Sequence, residues 1–165
     1  MKIEQSLVLV KPDGVERGLV GKIIGRFEDV GLKIVGLKMT GVDKTLAQQH
    51  YTQDLANRRG EKVRQTMVNL LASGPVVALV LEGVEAVELV RKMVGPTEPK
   101  AAPPGTIRGD FSHMSVAWAD KRGLGLKNVI HASSSTAEAA KEIKVWFAAS
   151  ELVRYKTVAE THTHG

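Results

Sequence analysis

Pro75-Val76-Val77-Ala78-Leu79-Val80-Leu81 is an unbroken apolar run of strand length, and no other stretch of the chain signals a β-strand as strongly. It reads as the third strand of a sheet, and as a central one. Just before it, Val63, Met67, Leu70 and Leu71 repeat at i, i+4, i+7 and i+8, which predicts a helix closed by Ser73-Gly74. Just after it, Val87, Val90 and Val94 mark a further helix.

The same alternation of element types extends outward to both ends. Towards the N-terminus, Ser6-Leu7-Val8-Leu9-Val10 predicts a strand stopped by the turn residues Lys11-Pro12-Asp13-Gly14. Val20, Ile23, Ile24 and Phe27 fall on one helical face, with Gly31 as a left-handed cap. Val35, Leu37 and Met39 then alternate as a half-buried strand would, with Lys38 pointing the other way, before a polar helical stretch over Lys44 to Tyr51. Towards the C-terminus, seven of the seventeen residues from Gly95 to Phe111 are Gly or Pro, which predicts a shaped loop without helix or strand. Asn128-Val129-Ile130-His131 reads as a short last strand. Ser135-Thr136-Ala137-Glu138 has capping-box form at the head of a helix carrying Ala139, Ile143, Trp146 and Phe147. In order, the elements are β-α-β, a helical pair, then β-α-β. That order suits an α+β, ferredoxin-like sandwich: a four-stranded antiparallel sheet covered by helices. One domain is expected over residues 1–154, with a polar, flexible tail over 155–165.

Composition bounds the setting. A chain of 165 residues suits one compact domain. No apolar run approaches the roughly 20 residues of a spanning helix, and Met1-Lys2-Ile3-Glu4-Gln5 does not open a secretion signal. The absence of cysteine removes disulfides and thiolate metal sites and agrees with a cytoplasmic setting. A net charge of +5 favours anionic partners without saying which.

The common nucleotide signatures are missing. Gly21-Lys22 could end a phosphate-binding loop, but Glu16 stands where the first glycine is required and Ile23 where a hydroxyl is. Gly123-Leu124-Gly125 lacks the third glycine of a dinucleotide fingerprint. Three other segments carry the reading: Lys11 to Val15, Gly105-Thr106-Ile107-Arg108-Gly109-Asp110-Phe111, and Asn128 to His131. With Arg17 to Gly21, Ser73 to Val77, Arg91 to Thr97, and Glu142 with Trp146-Phe147, the chain from about residue 5 to 150 resembles the nucleoside diphosphate kinase family.

That resemblance implies transfer of the γ-phosphate of a nucleoside triphosphate, such as ATP, to a nucleoside diphosphate through a phosphohistidine at His131. Glu142 matches the carboxylate that orients the imidazole, and Ser133 the hydroxyl that supports the pair. Lys11, Arg91 and Arg108 match cations on the phosphates; Thr97, Tyr51 and Asn128 match a phosphate-contacting hydroxyl, a phenol near the histidine, and an amide on the sugar. The residue types suit the chemistry. A neutral imidazole offers a lone pair near pH 7, and phosphoryl transfer asks mainly for alignment and cations. The resemblance further implies Mg2+ bridging the phosphates with few protein ligands, and a homo-oligomer, a tetramer or hexamer built from dimers.

Each residue also has a plainer reading. His131 alone is more often a structural, hydrogen-bonded histidine, Lys11 a solvated lysine, Arg91 a cation near a helix end and Glu142 a surface carboxylate paired across a turn. His162-Thr163-His164 is assigned no metal. In two places the chain departs from the family: Asn57-Arg58-Arg59-Gly60-Glu61-Lys62 adds about four residues and no base-stacking aromatic, and the link from Phe111 to Asn128 is longer by roughly ten. Both fall around the nucleotide base, so a more polar mouth lined by Arg58, Arg59, Lys62 and Lys127 is expected. Two other functions compete: a non-catalytic nucleotide-binding regulator on the same fold, and a nucleic-acid module. The second lacks the aromatic-rich basic motif of single-strand readers.

Overall fold

The computed structural model of the chain describes residues 2–163. Its sheet contains β1 (Ile3–Val10), β2 (Lys33–Thr40), β3 (Val76–Val84) and β4 (Ile130–Ala132), in spatial order β2-β3-β1-β4 with every neighbouring pair antiparallel. The helices are α1 (Pro12–Glu16), α2 (Val20–Asp29), α3 (Lys44–His50), α4 (Gln53–Arg59), α5 (Glu61–Leu71), α6 (Ala86–Val94), α7 (Ile107–Phe111), α8 (Val116–Arg122), α9 (Thr136–Trp146) and α10 (Val158–Thr163). This is the expected α+β sandwich, with β3 inside the sheet.

Helices lie on both faces, which explains why β1 and β3 read as continuous apolar runs: neither has a solvent side to make polar. On one face Val8, Val10, Leu79 and Leu81 pack with Ile23 and Phe27 of α2 and Val90 and Val94 of α6. On the other, Leu7, Leu9, Ala78 and Val80 pack with Val68 and Leu71 of α5 and Ile143 and Trp146 of α9. Fully burying one such aliphatic side chain is worth about 1.5–3 kcal/mol.

Several local expectations need correction. On β2, Val35 is buried, but Leu37 and Met39 are 53% and 63% exposed. A bulge between Ile34 and Gly36 shifts the register, and past it Leu37 and Met39, paired with Leu79 and Val77, stand on the face opposite the core of Val35 and are left exposed. The Gly/Pro-rich stretch is not helix-free. It holds a 3-10 turn, Pro99–Ala101, and α7, whose cap Thr106 accepts from Gly109 N at 3.1 Å. A proline at the first position and a capping threonine start short turns as readily as they end long ones.

The helical pair is a trio. The extra residues near 57–62 allow α4 to stand as a separate helix, turned into α5 at Gly60 with φ of 91°, and the longer link after Phe111 forms α8. The last strand begins at Ile130, because Val129 takes φ of 61° and cannot continue an extended run. At the head of α9, Ser135 Oγ accepts from Glu138 N as expected, but the Glu138 carboxylate accepts from Ser134 N, one residue earlier than a capping box places it. Phe147 follows α9 yet stays in its core. The stretch expected to be a loose tail carries α10, tied to β2 by Lys33 Nζ, which lies 2.8 Å from Glu82 and 2.5 Å from Glu160. His164 lies outside the described residues. Among those described, no helix is long and apolar enough to cross a membrane.

Candidate active site

Lys11 follows β1 and caps α1, and its backbone and side chain both turn towards the segment that leads into β4. Its N–H donates to Val129 O at 2.9 Å, and Asp13 Oδ2 accepts from Val129 N at 2.9 Å. A Cβ on Gly14 would lie 2.8 Å from Val129 O, so only glycine permits this approach. Two anchors thus hold Val129 in its left-handed conformation and fix the start of β4, on whose middle residue His131 stands.

His131 Nε2 lies 2.9 Å from Glu142 Oε1, while Ser133 Oγ donates to Glu142 Oε2 at 2.5 Å. Glu142 is on the second turn of α9 and buried against β1 and β4, so both oxygens are spoken for. Nδ1 of His131 carries no hydrogen bond among the described residues. The ring borders a cavity of about 590 Å³ that also meets Lys11, Tyr51, Arg91, Thr97, Arg108 and Asn128.

The three cations there have no carboxylate within ion-pair distance among the described residues. Lys11 Nζ donates to Asn128 Oδ1 at 2.7 Å and Leu126 O at 3.1 Å. Burial pulls its pKa down to about 8, with Arg108 adding to the fall against the pull of Asp13. Arg108 donates through Nη1 to Gly95 O and through Nη2 to Ile130 O, its Nε has no partner, and burial beside Arg91 lowers it to about 10. Among the described residues, the side chain of Arg91, in the last turn of α6, makes one hydrogen bond, at 3.5 Å to Ala132 O. Uncompensated buried cations are costly, and an anionic guest relieves them. Burial, and then the nearby Glu142, hold the Tyr51 phenol well above its ordinary pKa, so its hydroxyl keeps its proton.

A sequence model described as "Nucleoside diphosphate kinase" matches residues 4–152. The chain belongs to the nucleoside diphosphate kinase family. A nucleoside diphosphate kinase of Borreliella burgdorferi is 48% identical over 94% of each chain, and one of Sulfurisphaera tokodaii 46% identical over 93% of this chain and 95% of the other. Two solved structures are similar. The Borrelia burgdorferi enzyme as a transition-state mimic with vanadate and ADP has a TM-score of 0.96 at 46% identity, covering 98% of this chain and 97% of that one. The Halobacterium salinarum enzyme in complex with CDP has a TM-score of 0.84 at 37% identity and 98% coverage of both. The activity of this chain is that of a nucleoside diphosphate kinase.

Against that family, the placement of the expected residues is clear. All nine are brought together, though Ser133 sits behind Glu142 and not on the cavity wall. Beside Arg108, Gly109 makes room for Pro103 O, which a Cβ would meet at 2.1 Å. Two nitrogens of the Arg108 fork are occupied by carbonyls, so the fork is not open for a simple bidentate clamp. At the mouth, Arg58, Arg59 and Lys62 line the cavity as expected and Lys127 does not; its carbonyl is taken by Ser112. The walls there are aliphatic, from Leu55, Val63, Val116 and Leu124. Sequence reasoning missed His50, buried beside His131, and Asp13 as an anchor. Adjacency to Tyr51 was the only signal for the first, and the Pro-Asp-Gly turn the only one for the second.

Proposed function

We propose that this kinase works by a ping-pong exchange in which His131 Nδ1 carries the phosphate. What supports the reading most is that Nε2 is held by Glu142 while Nδ1 is left without a partner beside three unpaired cations. The Nδ1 lone pair attacks the γ-phosphorus, the bond to the β-bridging oxygen breaks, and the nucleoside diphosphate leaves with those electrons. A second diphosphate then attacks the same phosphorus through a terminal oxygen, and the N–P bond breaks back to the ring. The proton on Nε2 stays, and Glu142 offsets the positive charge the ring carries while phosphorylated. Lys11, Arg91 and the free Nε–H of Arg108 stabilise the charge spread over the transferring oxygens. Thr97 contacts phosphate, Asn128 the sugar, and the Tyr51 hydroxyl the group in transit.

The donor set fits a Mg2+ carried by the nucleotide. Of the carboxylates on the cavity wall, Glu142 is engaged by His131 and Ser133 and Glu138 by Ser134 N, which leaves Asp120 of α8, at the mouth, as the one without a side-chain partner among the described residues. Such an ion would supply positive charge against the phosphates and would need few protein ligands. At the mouth the base lies between aliphatic walls from Leu55 and Val63 on one side and Val116 and Leu124 on the other, with Arg58, Arg59 and Lys62 at the rim. We place the enzyme in the cytoplasm as a homo-oligomer, with residues 1–154 as its one domain and 155–165 as an appendage. The edge of β2 from Leu37 onward, beyond the carbonyls of Ile34 and Val35 that Tyr155 and Val153 engage, suits pairing with a second copy.

Incubation with ATP labelled in the γ-phosphate tests the mechanism. Acid-labile, base-stable label on the protein is expected, discharged by GDP and missing from His131→Ala. A His131→Ala protein that labels as well as wild type ends the reading, and binding without label points to a nucleotide-binding regulator.

A further inference from the structure

Behind the His131–Glu142 pair lies a second imidazole that the exchange above does not use. His50 closes α3 with its side chain fully buried, its ring edge-on to His131 at 4.4 Å between centroids and 88° between planes. Two groups crowd its Nδ1. The Trp146 indole N–H donates to it at 3.2 Å, and Glu142 Oε1, the oxygen that engages His131, lies 3.8 Å away. Its Nε2 has no hydrogen-bond partner among the described residues.

These two neighbours ask opposite things of one nitrogen. An indole N–H can only donate and needs Nδ1 bare; a carboxylate can only accept and would draw a proton onto Nδ1. Around the ring stand Glu142 and Trp146 from α9, His131 from β4, Lys11 from the end of β1, and Tyr51 beside it. Burial, with His131 and Lys11 nearby, holds the His50 pKa well below its ordinary value, so the ring is neutral and carries one proton. The choice is therefore between tautomers. With Trp146 donating, the proton sits on Nε2 and Nδ1 cannot donate to Glu142. Without Trp146, a shift of that proton to Nδ1 gives Glu142 a second imidazole donor and relieves the unpartnered Nε2–H.

We propose that Trp146 is a positioning residue which, through the His50 tautomer it selects, reserves the Glu142 carboxylate for His131. Oε1 then serves one imidazole and Oε2 the Ser133 hydroxyl, so the negative charge is undivided when His131 takes phosphate. The inference rests on the reading that Glu142 supports His131.

The full-length protein with nitrogen-15 histidine, read by long-range nitrogen–proton NMR, tests it. In wild type, His50 is expected with its proton on Nε2; a proton on Nδ1 overturns the proposal whatever the turnover. In Trp146→Phe, His50 should switch to the Nδ1-protonated form, and single-turnover phosphorylation should slow about tenfold, the low end for loss of an imidazole's supporting contact, with ATP affinity unchanged. Adding His50→Phe to that variant removes the second donor and should restore most of the lost rate. A Trp146→Phe protein that keeps its proton on Nε2, or a double variant as slow as the single one, contradicts it. Failure of wild type to take label would instead sink the role given to His131, and leaves the tautomer result to be read on its own.

Discussion

In the proposed exchange, the Lys11 side chain should set both nucleotide affinity and its pH dependence. Burial lowers its pKa to about 8 in the free protein, and a bound phosphate, being anionic, raises it again. Above pH 8 the free lysine is neutral while the complex still binds the proton, so binding must take one up. Affinity for ADP should therefore weaken as pH rises, by about fivefold from pH 8 to pH 9, and Lys11→Met should flatten that slope in calorimetric titrations. Glu142→Gln separates charge from shape at the other end of the site. An amide oxygen can still accept from His131 Nε2 but cannot offset a charged ring, so phosphorylation should slow by roughly 10–100-fold with the fold and nucleotide affinity kept; an unchanged single-turnover rate would argue that the carboxylate only positions. Of these residues, His131, Glu142 and Lys11 were legible because motif and residue type agree. His50 and Asp13 were not, since an isolated histidine and a turn aspartate carry no sign of what the fold will bring against them.

At the scale of elements, the segment around α7 presents Arg108 to the cavity from a backbone with little room to spare. A Cβ on Gly109 would meet Pro103 O at 2.1 Å and Thr106 Oγ1 at 2.8 Å. Gly109→Ala should cost about 1–3 kcal/mol of stability in denaturant unfolding and lower nucleotide affinity by displacing Arg108, whereas Gly105→Ala, strained in backbone but facing open space, should disturb the site less. Ser135→Ala, which strips the cap of α9, should cost about 1 kcal/mol in the same assay. Helix periodicity located α2, α5, α6 and α9 well, because each buries one face in a single core. It failed where another rule governs: at β2 a bulge reverses which side chains are covered, and at α7 a threonine cap starts a helix inside a stretch rich in breakers. The short α4 and α8 contribute walls to the cavity mouth, and seven-residue segments of that kind leave no lasting period to detect.

The whole molecule combines a sheet covered by helices on both faces with an edge at β2 that Val153 N and the Tyr155 hydroxyl engage at Val35 O and Ile34 O, leaving the stretch from Leu37 onward uncovered. Leu37 and Met39 project there unprotected, beside a backbone row that β3 pairs on one side only. If two copies join along this edge, Leu37→Asp with Met39→Asp should shift sedimentation equilibrium towards smaller species while γ-phosphate labelling of the remaining protein persists; an unaltered mass would place the interface elsewhere. The order of elements was readable as a ferredoxin-like sandwich because β1 and β3 are long apolar runs and α2, α5, α6 and α9 keep a helical period. The site was readable only as separate segments, and its geometry comes from β1, β4, α6, α7 and α9 converging on one ring. The most direct test of that convergence is nitrogen–phosphorus NMR of the protein trapped after reaction with ATP and before any acceptor is added. The account predicts phosphate bonded to Nδ1 of His131 with the proton retained on Nε2; phosphate on Nε2, or on any other residue, would contradict it.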